Sequence, residues 1–330
     1  MANGPLDVVG IGNAIVDVLS HADDDFLVGQ DIVKGAMTLI DAAQADRIYD
    51  AMGPGVEISG GSAANTIVGV ASFGGRGAYI GKVRNDRLGQ VFAHDLKAVG
   101  VDFDTPMAID GPSTARCLIN VTPDAQRTMT THLGACIGLG PEDVDAATIA
   151  AAKVTYLEGY LWDPPGAKEA FRKAMRIAHE AERKVSLSLS DAFCVDRHRA
   201  EFRELTREHV NILFANETEI LSLYQAERLD DALQMVAGHC EIAALTRGEK
   251  GSIVVANGEV HVIDAEPVER VVDTTGAGDL YAAGFLYGYT SGLSLPECGR
   301  LASRAAGEII SHFGARPECD LAALAEEKPN

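Results

Sequence analysis

The residues with the clearest chemical potential lie in short, glycine-bearing segments. In Asp273-Thr274-Thr275-Gly276-Ala277-Gly278-Asp279, which runs straight into an apolar stretch, the small residues Gly276, Ala277 and Gly278 let backbone N–H groups converge at a helix N-terminus. Aligned peptide dipoles favour negative charge there. Asp279 at the mouth of such an anion site would repel a bound phosphate, unless its carboxylate takes a proton from a hydroxyl that attacks phosphorus. Asp is also a good helix cap, and the segment alone leaves both roles open.

A second segment, Ser59-Gly60-Gly61-Ser62-Ala63-Ala64-Asn65, also opens a helix, and its glycines admit a small ligand close to the backbone. Asn65, one turn in, can offer both a donor and an acceptor to hydroxyl groups. In a third, Asn216-Glu217-Thr218-Glu219 follows a strand, so the amide of Asn216 and the carboxylate of Glu219 share one face of a first helical turn. The pair could orient hydrated Mg²⁺ and nucleotide phosphates, or form a capping box, or both. Near the N-terminus, Gly10-Ile11-Gly12-Asn13-Ala14-Ile15 holds only two glycines of a dinucleotide fingerprint, and Asn13 with Asp17 reads better as a pair aimed at a polyol. The nine histidines show no metal-binding spacing.

These segments need a scaffold that brings them to one edge. Short apolar runs at Leu6–Ile11, Ala78–Ile80, Val154–Leu157, Val185–Leu189, Ile212–Ala215, Ile242–Thr246, Ser252–Ala256 and Val260–Ile263 read as strands, most of them continuously apolar as cover on both faces requires. Between several of them lie stretches of helical period: Ala64, Ile67, Val68 and Ala71; Leu88, Val91, Phe92 and Val99; Ala167 through Ala181; and the nearly all-apolar run from Leu280 to Tyr289. The alternation predicts an α/β fold with a mostly parallel sheet between helical layers. Residues 14–40 and 105–133 break the rhythm. The second contains a hairpin pattern across Pro123 and Asp124, so both are expected to form a small β layer projecting from one domain that spans residues 1–330.

Taken jointly, the Gly60–Asn65, Asn216–Glu219, Thr246-Arg247-Gly248 and Asp273–Asp279 motifs resemble, in order and spacing, those of the ribokinase-like (PfkB) carbohydrate kinases. The resemblance runs from Val9 to about Pro317. Gly12-Asn13-Ala14-Ile15-Val16-Asp17, Ile212 to Glu219, and Gln126-Arg127 are most similar to the adenosine kinases of that family. It implies a three-layer α/β/α sandwich with a β lid, and an ATP-dependent transfer to the 5′-hydroxyl of a nucleoside, adenosine giving AMP.

On that resemblance Asp279 is the base, and Gly276, Ala277 and Gly278 hold the transferred charge. Asn13, Asp17, Gly60, Gly61 and Asn65 bind the ribose. Arg127 reaches the phosphates from the lid, Tyr160 stacks on the base, and Trp162 is either a second base contact or a core ring. Thr246, Arg247 and Gly248 sit on ATP, Asn216 and Glu219 serve ATP and Mg²⁺, and Asp273 with Thr275 binds K⁺. Ala63 and Ala64 depart from more polar residues in some adenosine kinases, which leaves inosine, guanosine, a free sugar such as ribose, or a keto sugar acid open as acceptor.

Composition sets outer bounds. The chain has 330 residues and a formal charge of −20, which argues against nucleic acid and anionic membranes as partners. Six dispersed cysteines without a C-x-x-C pair fit a reducing compartment, and neither a leader pattern at Met1 to Leu6 nor a membrane-length apolar run is present, so a cytoplasmic protein is expected, as a monomer or homodimer.

Overall fold

A computed structural model of the chain describes residues 5–124 and 126–326. Residues 1–4 and 327–330, at the ends of the expected domain and leader reading, and Ala125 in the expected 105–133 stretch lie outside the described residues.

In chain order the strands are β1 (Leu6–Ile11), β2 (Ile15–His21), β3 (Met37–Leu39), β4 (Gly55–Gly60), β5 (Gly77–Ile80), β6 (Ala115–Val121), β7 (Arg127–His132), β8 (Ala152–Glu158), β9 (Lys184–Ser188), β10 (Ile212–Asn216), β11 (Ile242–Thr246), β12 (Ser252–Ala256) and β13 (Glu259–Ile263). The helices are α1 (Asp24–Gly29), α2 (Ala42–Ala51), α3 (Ser62–Ser72), α4 (Arg87–Ala98), α5 (Ala146–Ala151), α6 (Pro165–Glu180), α7 (Ala192–Glu208), α8 (Glu217–Tyr224), α9 (Leu229–Val236), α10 (Ala277–Thr290), α11 (Leu295–Ile309) and α12 (Ala322–Glu326).

The larger sheet has the order β13-β12-β11-β10-β9-β8-β1-β5, parallel from β11 to β5 and antiparallel through the β12–β13 edge. Alternation along each inner strand feeds two cores. Val8, Val154, Tyr156 and Phe214 pack with α3, α10 and α11, whereas Val9, Ile11, Leu157 and Leu213 pack with α6 and α7 on the other face. All eight expected strands are present here, with ends shifted by no more than two residues. The exception to cover on both faces is β13, an edge strand that leaves Val260 54% and Val262 66% exposed.

The smaller sheet has the order β3-β7-β6-β2-β4. One face is covered by α1 and α2 through Val18, Ile48, Leu118 and Phe26. The opposite face, shared by alternation with Asp17, carries Ile15, Leu19, Cys117 and Ile119. Its extent differs from the sequence reading: β4 contributes a strand from outside both expected stretches, residues 24–29 are helical, and residues 105–114 contain none of its strands. The short polar-and-glycine run of β4 has too little apolar content to announce a strand.

The chain leaves the larger sheet at Ile11, passes through Gly12-Asn13-Ala14 into β2, and returns from β4 through Gly60-Gly61 into α3. Both crossings, together with the ends of β8, β10 and β11, gather at the carboxyl edge of the parallel strands, where α/β proteins place their ligands.

Candidate active site

The nearly all-apolar α10 buries Leu280, Ala283, Phe285 and Leu286 completely, and Phe285 alone contributes about 2–3 kcal/mol of burial. A helix anchored so firmly fixes its first turn. Gly276, at φ 80°, ends the approach, Ala277 donates its N–H to the Thr274 carbonyl at 3.2 Å, and Asp279 follows on the first turn. The Asp279 carboxylate accepts the Ser62 hydroxyl at 2.6 Å on one oxygen and the Asn65 amide at 3.0 Å on the other. Burial pushes its pKa up, while Ser62, Asn65 and the Arg316 guanidinium oppose the shift. Asp279 is therefore no simple cap: its oxygens face α3 rather than the amides of its own helix.

The acceptor loop is built by steric exclusion. Gly61 sits at φ 96°, and a Cβ there would lie 2.2 Å from the Asn13 carbonyl oxygen. At Gly60 a Cβ would lie 2.3 Å from a carboxylate oxygen of Asp17, so only glycine lets Asp17 rest on this loop. Burial pushes the Asp17 carboxyl up to about 7, with Arg316 and Arg127 opposing and Asp279 reinforcing. Asn13 is 4% exposed, and both polar atoms of its side chain are engaged: Nδ2 donates to Glu158 at 2.7 Å and Oδ1 accepts from Cys136 Sγ at 3.0 Å. Glu158 also receives the backbone N–H of Asn13 at 3.2 Å and of Ala63 at 2.8 Å, which ties the two crossings together. Burial pushes Glu158 up to about 7. Asn65 spends its donor on Asp279, and its buried Oδ1 has no hydrogen-bond partner, an acceptor placed for a hydroxyl.

From β7, Arg127 forms a buried ion pair with Asp273 at 2.7 Å and touches Thr275 Oγ1 at 3.2 Å, with its guanidinium 5.3 Å from the Phe313 ring. Its Nε and Nη2 are buried and have no hydrogen-bond partner, so the side chain is anchored through Nη1 alone. The expected K⁺ does not fit Asp273. Its Oδ1 accepts the N–H and O–H of Thr275 at 3.0 and 2.8 Å, and its Oδ2 accepts Gly314 N–H at 3.0 Å as well as Arg127, which leaves no side-chain oxygen for a cation.

Beside the first turn of α10 lies a cavity of about 550 Å³ lined by Thr246, Gly248, Thr274, Ala277, Gly278, Ser303 and Ile310, among others. Thr246 and Gly248 thus face the same space as the anion helix. Arg247 does not line it and instead pairs with Glu217 at 3.2 Å. The register pairs Asn216 with Thr246, which sets the third motif beside the cavity. There the capping box is complete: Asn216 Oδ1 accepts the Glu219 N–H at 2.8 Å, and Glu219 accepts the Asn216 N–H at 2.9 Å and Nδ2 at 2.6 Å. Glu219 is 5% exposed and pushed up to about 7 by burial. Among the described residues no group of acidic, His and Cys side chains could hold a metal by itself. Both oxygens of Glu219 and both polar atoms of the Asn216 side chain are thus engaged with each other, so the pair as it stands offers no side-chain oxygen for direct coordination of Mg²⁺.

Tyr160, 39% exposed, is turned onto the Ser188–Ser190 loop, where its hydroxyl donates to the Ser190 carbonyl at 3.1 Å and its N–H to Ser190 Oγ at 3.1 Å. Trp162 is not a base contact. It is fully buried between Phe171 and Phe202, with Nε1 donating to Glu201 at 3.1 Å.

Sequence reasoning missed Glu158 and Arg316 and gave Ser62 no role. Arg316 donates to the Ser59 carbonyl at 2.7 and 3.0 Å, to Ser59 Oγ at 3.0 Å and to the Ala64 carbonyl at 3.1 Å. A lone acidic residue at the end of β8 and a lone Arg after α11 belong to no motif. Only the parallel topology, which places the end of β8 beside the end of β1, could have pointed to Glu158.

A poised carboxylate between a hydroxyl-binding loop and a helix N-terminus that opens on a cavity defines a kinase, a phosphotransferase with an alcohol group as acceptor. The family profile described as pfkB family carbohydrate kinase matches residues 36–321, and the chain belongs to that family. Its structure is similar to that of adenosine kinase from Sinorhizobium meliloti, with 55% identity, a TM-score of 0.90, and cover of 98% of this chain and 99% of that one. It is equally similar to a probable sugar kinase from Rhizobium etli CFN 42, at 52% identity, a TM-score of 0.91, and 98% cover of both chains. The adenosine kinase of Saccharomyces cerevisiae is 26% identical over 317 residues, 87% of this chain and 90% of that protein. ATP is the co-substrate that the family implies. Among the described residues no helix is long and apolar enough to cross a membrane.

Proposed function

We propose that this kinase transfers the γ-phosphoryl group of ATP to the 5′-hydroxyl of a nucleoside, adenosine first, to give the 5′-monophosphate. The observation that carries the reading is the Asp279 carboxylate, held by Ser62 and Asn65 at the junction of the acceptor loop and the donor cavity. The identity to an adenosine kinase over nearly the whole chain directs the choice of acceptor.

Asp279 accepts the hydroxyl proton as that oxygen attacks phosphorus, ADP departs, and the proton is later released to solvent. The acceptor's ring hydroxyls meet Asp17 and the free Oδ1 of Asn65, and Tyr160 offers an aromatic face to the base. The backbone N–H groups of Gly276 and Gly278 and the unpartnered nitrogens of Arg127 are assigned to the transferred charge, the Ala277 N–H being spent on the Thr274 carbonyl. Bound Mg²⁺ would supply charge neutralisation on the phosphates, next to Asn216 and Glu219. Little covalent chemistry is asked of the protein, so alignment and fixed electrostatics supply most of the rate. Asp17 and Arg127 stand on strands of the smaller sheet, which serves as the lid whose closure shuts out water. The unpaired cysteines are consistent with a cytoplasmic setting.

The second reading, a kinase for a free sugar such as ribose, a keto sugar acid or another purine nucleoside, is favoured by the equally similar probable sugar kinase. Initial rates with Mg-ATP and adenosine, inosine, guanosine, ribose or a keto sugar acid separate the two. Adenosine is expected to give the highest kcat/KM; turnover of ribose without turnover of adenosine would sink the first reading.

A further inference from the structure

Four consecutive residues after α11 touch four separate parts of the site. Phe313 lies 5.3 Å from the Arg127 guanidinium, and Gly314 donates its N–H to Asp273 at 3.0 Å. Ala315 closes against Gly276, where an added Cβ would meet it at 3.0 Å. Arg316 ends the series with its hydrogen bonds to the carbonyls of Ser59 and Ala64, which bracket the Gly60-Gly61-Ser62-Ala63 turn. We propose that Arg316 is a positioning residue for catalysis: it fastens both ends of the acceptor loop, so that Ser62 and Asn65 present to Asp279, and it sets a buried positive charge behind that loop.

Two features of the guanidinium support this. All of its hydrogen bonds go to neutral oxygens, and it forms no ion pair within salt-bridge distance among the described residues. An arginine buried without a contacting carboxylate is costly unless its field is used by charges nearby. Those charges are Asp17, Asp95 and Asp279, and they counter the burial that lowers Arg316 to about 10. Other ionisable groups around Asp279 are Glu158 and Tyr156 from β8 and Tyr160 beyond it, and Arg127 adds positive charge at Asp17. Arg316 is the one cation that opposes the upward shift of Asp279 itself. Its planar fork reaches the two carbonyls through three nitrogens in a fixed geometry, which a lysine ammonium, a single point donor, does not reproduce.

The inference rests on the reading of Asp279 as the base. The test is the pH dependence of kcat/KM, with kcat and acceptor KM, for wild type, Arg316→Gln and Arg316→Lys. Removing the positive charge makes the carboxylate harder to ionise, so Arg316→Gln should move the acidic limb upward by about one pH unit and lower kcat by about ten-fold or more. Arg316→Lys should return the limb to its wild-type place while kcat stays reduced, because charge is restored and the two-carbonyl grip is not. An unmoved limb in Arg316→Gln would overturn the proposal, as would Arg316→Lys with wild-type kcat. Should Arg316→Gln fail to fold, Arg316→Lys decides alone: a wild-type limb with reduced kcat supports the assignment, and a displaced limb overturns it. Asp279→Asn keeps the two claims apart, since full turnover in that variant removes the base, whereas an inactive Asp279→Asn beside an unmoved Arg316→Gln limb removes only the role of Arg316.

Discussion

The Asp279→Asn substitution keeps the size of the side chain and removes its capacity to take a proton. It should lower kcat by at least ~100-fold and leave the acceptor KM within a few-fold, as loss of a group needed only in the transition state does. Single-turnover and steady-state rates check this. Asp17 makes a different prediction. Its folded pKa of about 7 lies above the ordinary 3.8, so the native state holds the proton more tightly than the unfolded state does. The cost of ionising it is absent below the unfolded value, grows as pH rises from about 4, and is fully present above about 7. Asp17→Asn should therefore unfold at a higher temperature than wild type at pH 8, with the gap closing toward pH 4. The same variant should bind acceptor more weakly above pH 7, where wild-type Asp17 is an ionised acceptor for hydroxyls. Thermal melts and KM measured across that pH range test both halves.

At the scale of elements, the site depends on two crossings between sheets and on helix starts. Gly61→Ala combines φ 96° with a Cβ driven into the Asn13 carbonyl, and should cost at least ~2 kcal/mol in denaturant unfolding along with most of the activity. Asn216→Ala removes one half of the capping box on α8. It should cost about 1 kcal/mol, and if Asn216 also meets the metal-bearing phosphates, KM for Mg-ATP rises several-fold while KM for the acceptor holds. Much of this scale was legible in advance. Continuous apolar runs announce buried parallel strands, and Leu280 to Tyr289 announces a buried helix, because burial on both faces leaves no other composition. The partners Glu158 and Arg316 were not legible. Each is a single polar residue whose meaning comes from contacts 95 and 257 positions away, and local pattern carries no trace of such distances. Trp162 illustrates the converse: it lies close to Tyr160 in sequence, yet packs against Phe171 and Phe202 in the helical layer rather than in the site.

For the whole molecule, the charge of −20 acts on a donor that is itself an anion. Backbone amides and Arg127 provide the contacts proposed for the phosphates, so the surrounding field opposes ATP during its approach more than after its arrival. Raising the ionic strength from about 0.02 to 0.2 M shortens the Debye length and should raise kcat/KM for ATP about two-fold, with kcat/KM for a neutral nucleoside nearly flat. A fall in the value for ATP would mean that a local positive field dominates.

The strap at Phe313 to Arg316 also has a meaning in time. Every strand of both sheets ends by Ile263, so a chain emerging from its N-terminus can form its framework before the strap exists. Arg316 must then close a separation of 257 residues to reach Ser59, the kind of non-local contact that folding makes late. Competence to transfer a phosphoryl group thus hangs on a contact that only a nearly complete chain can make.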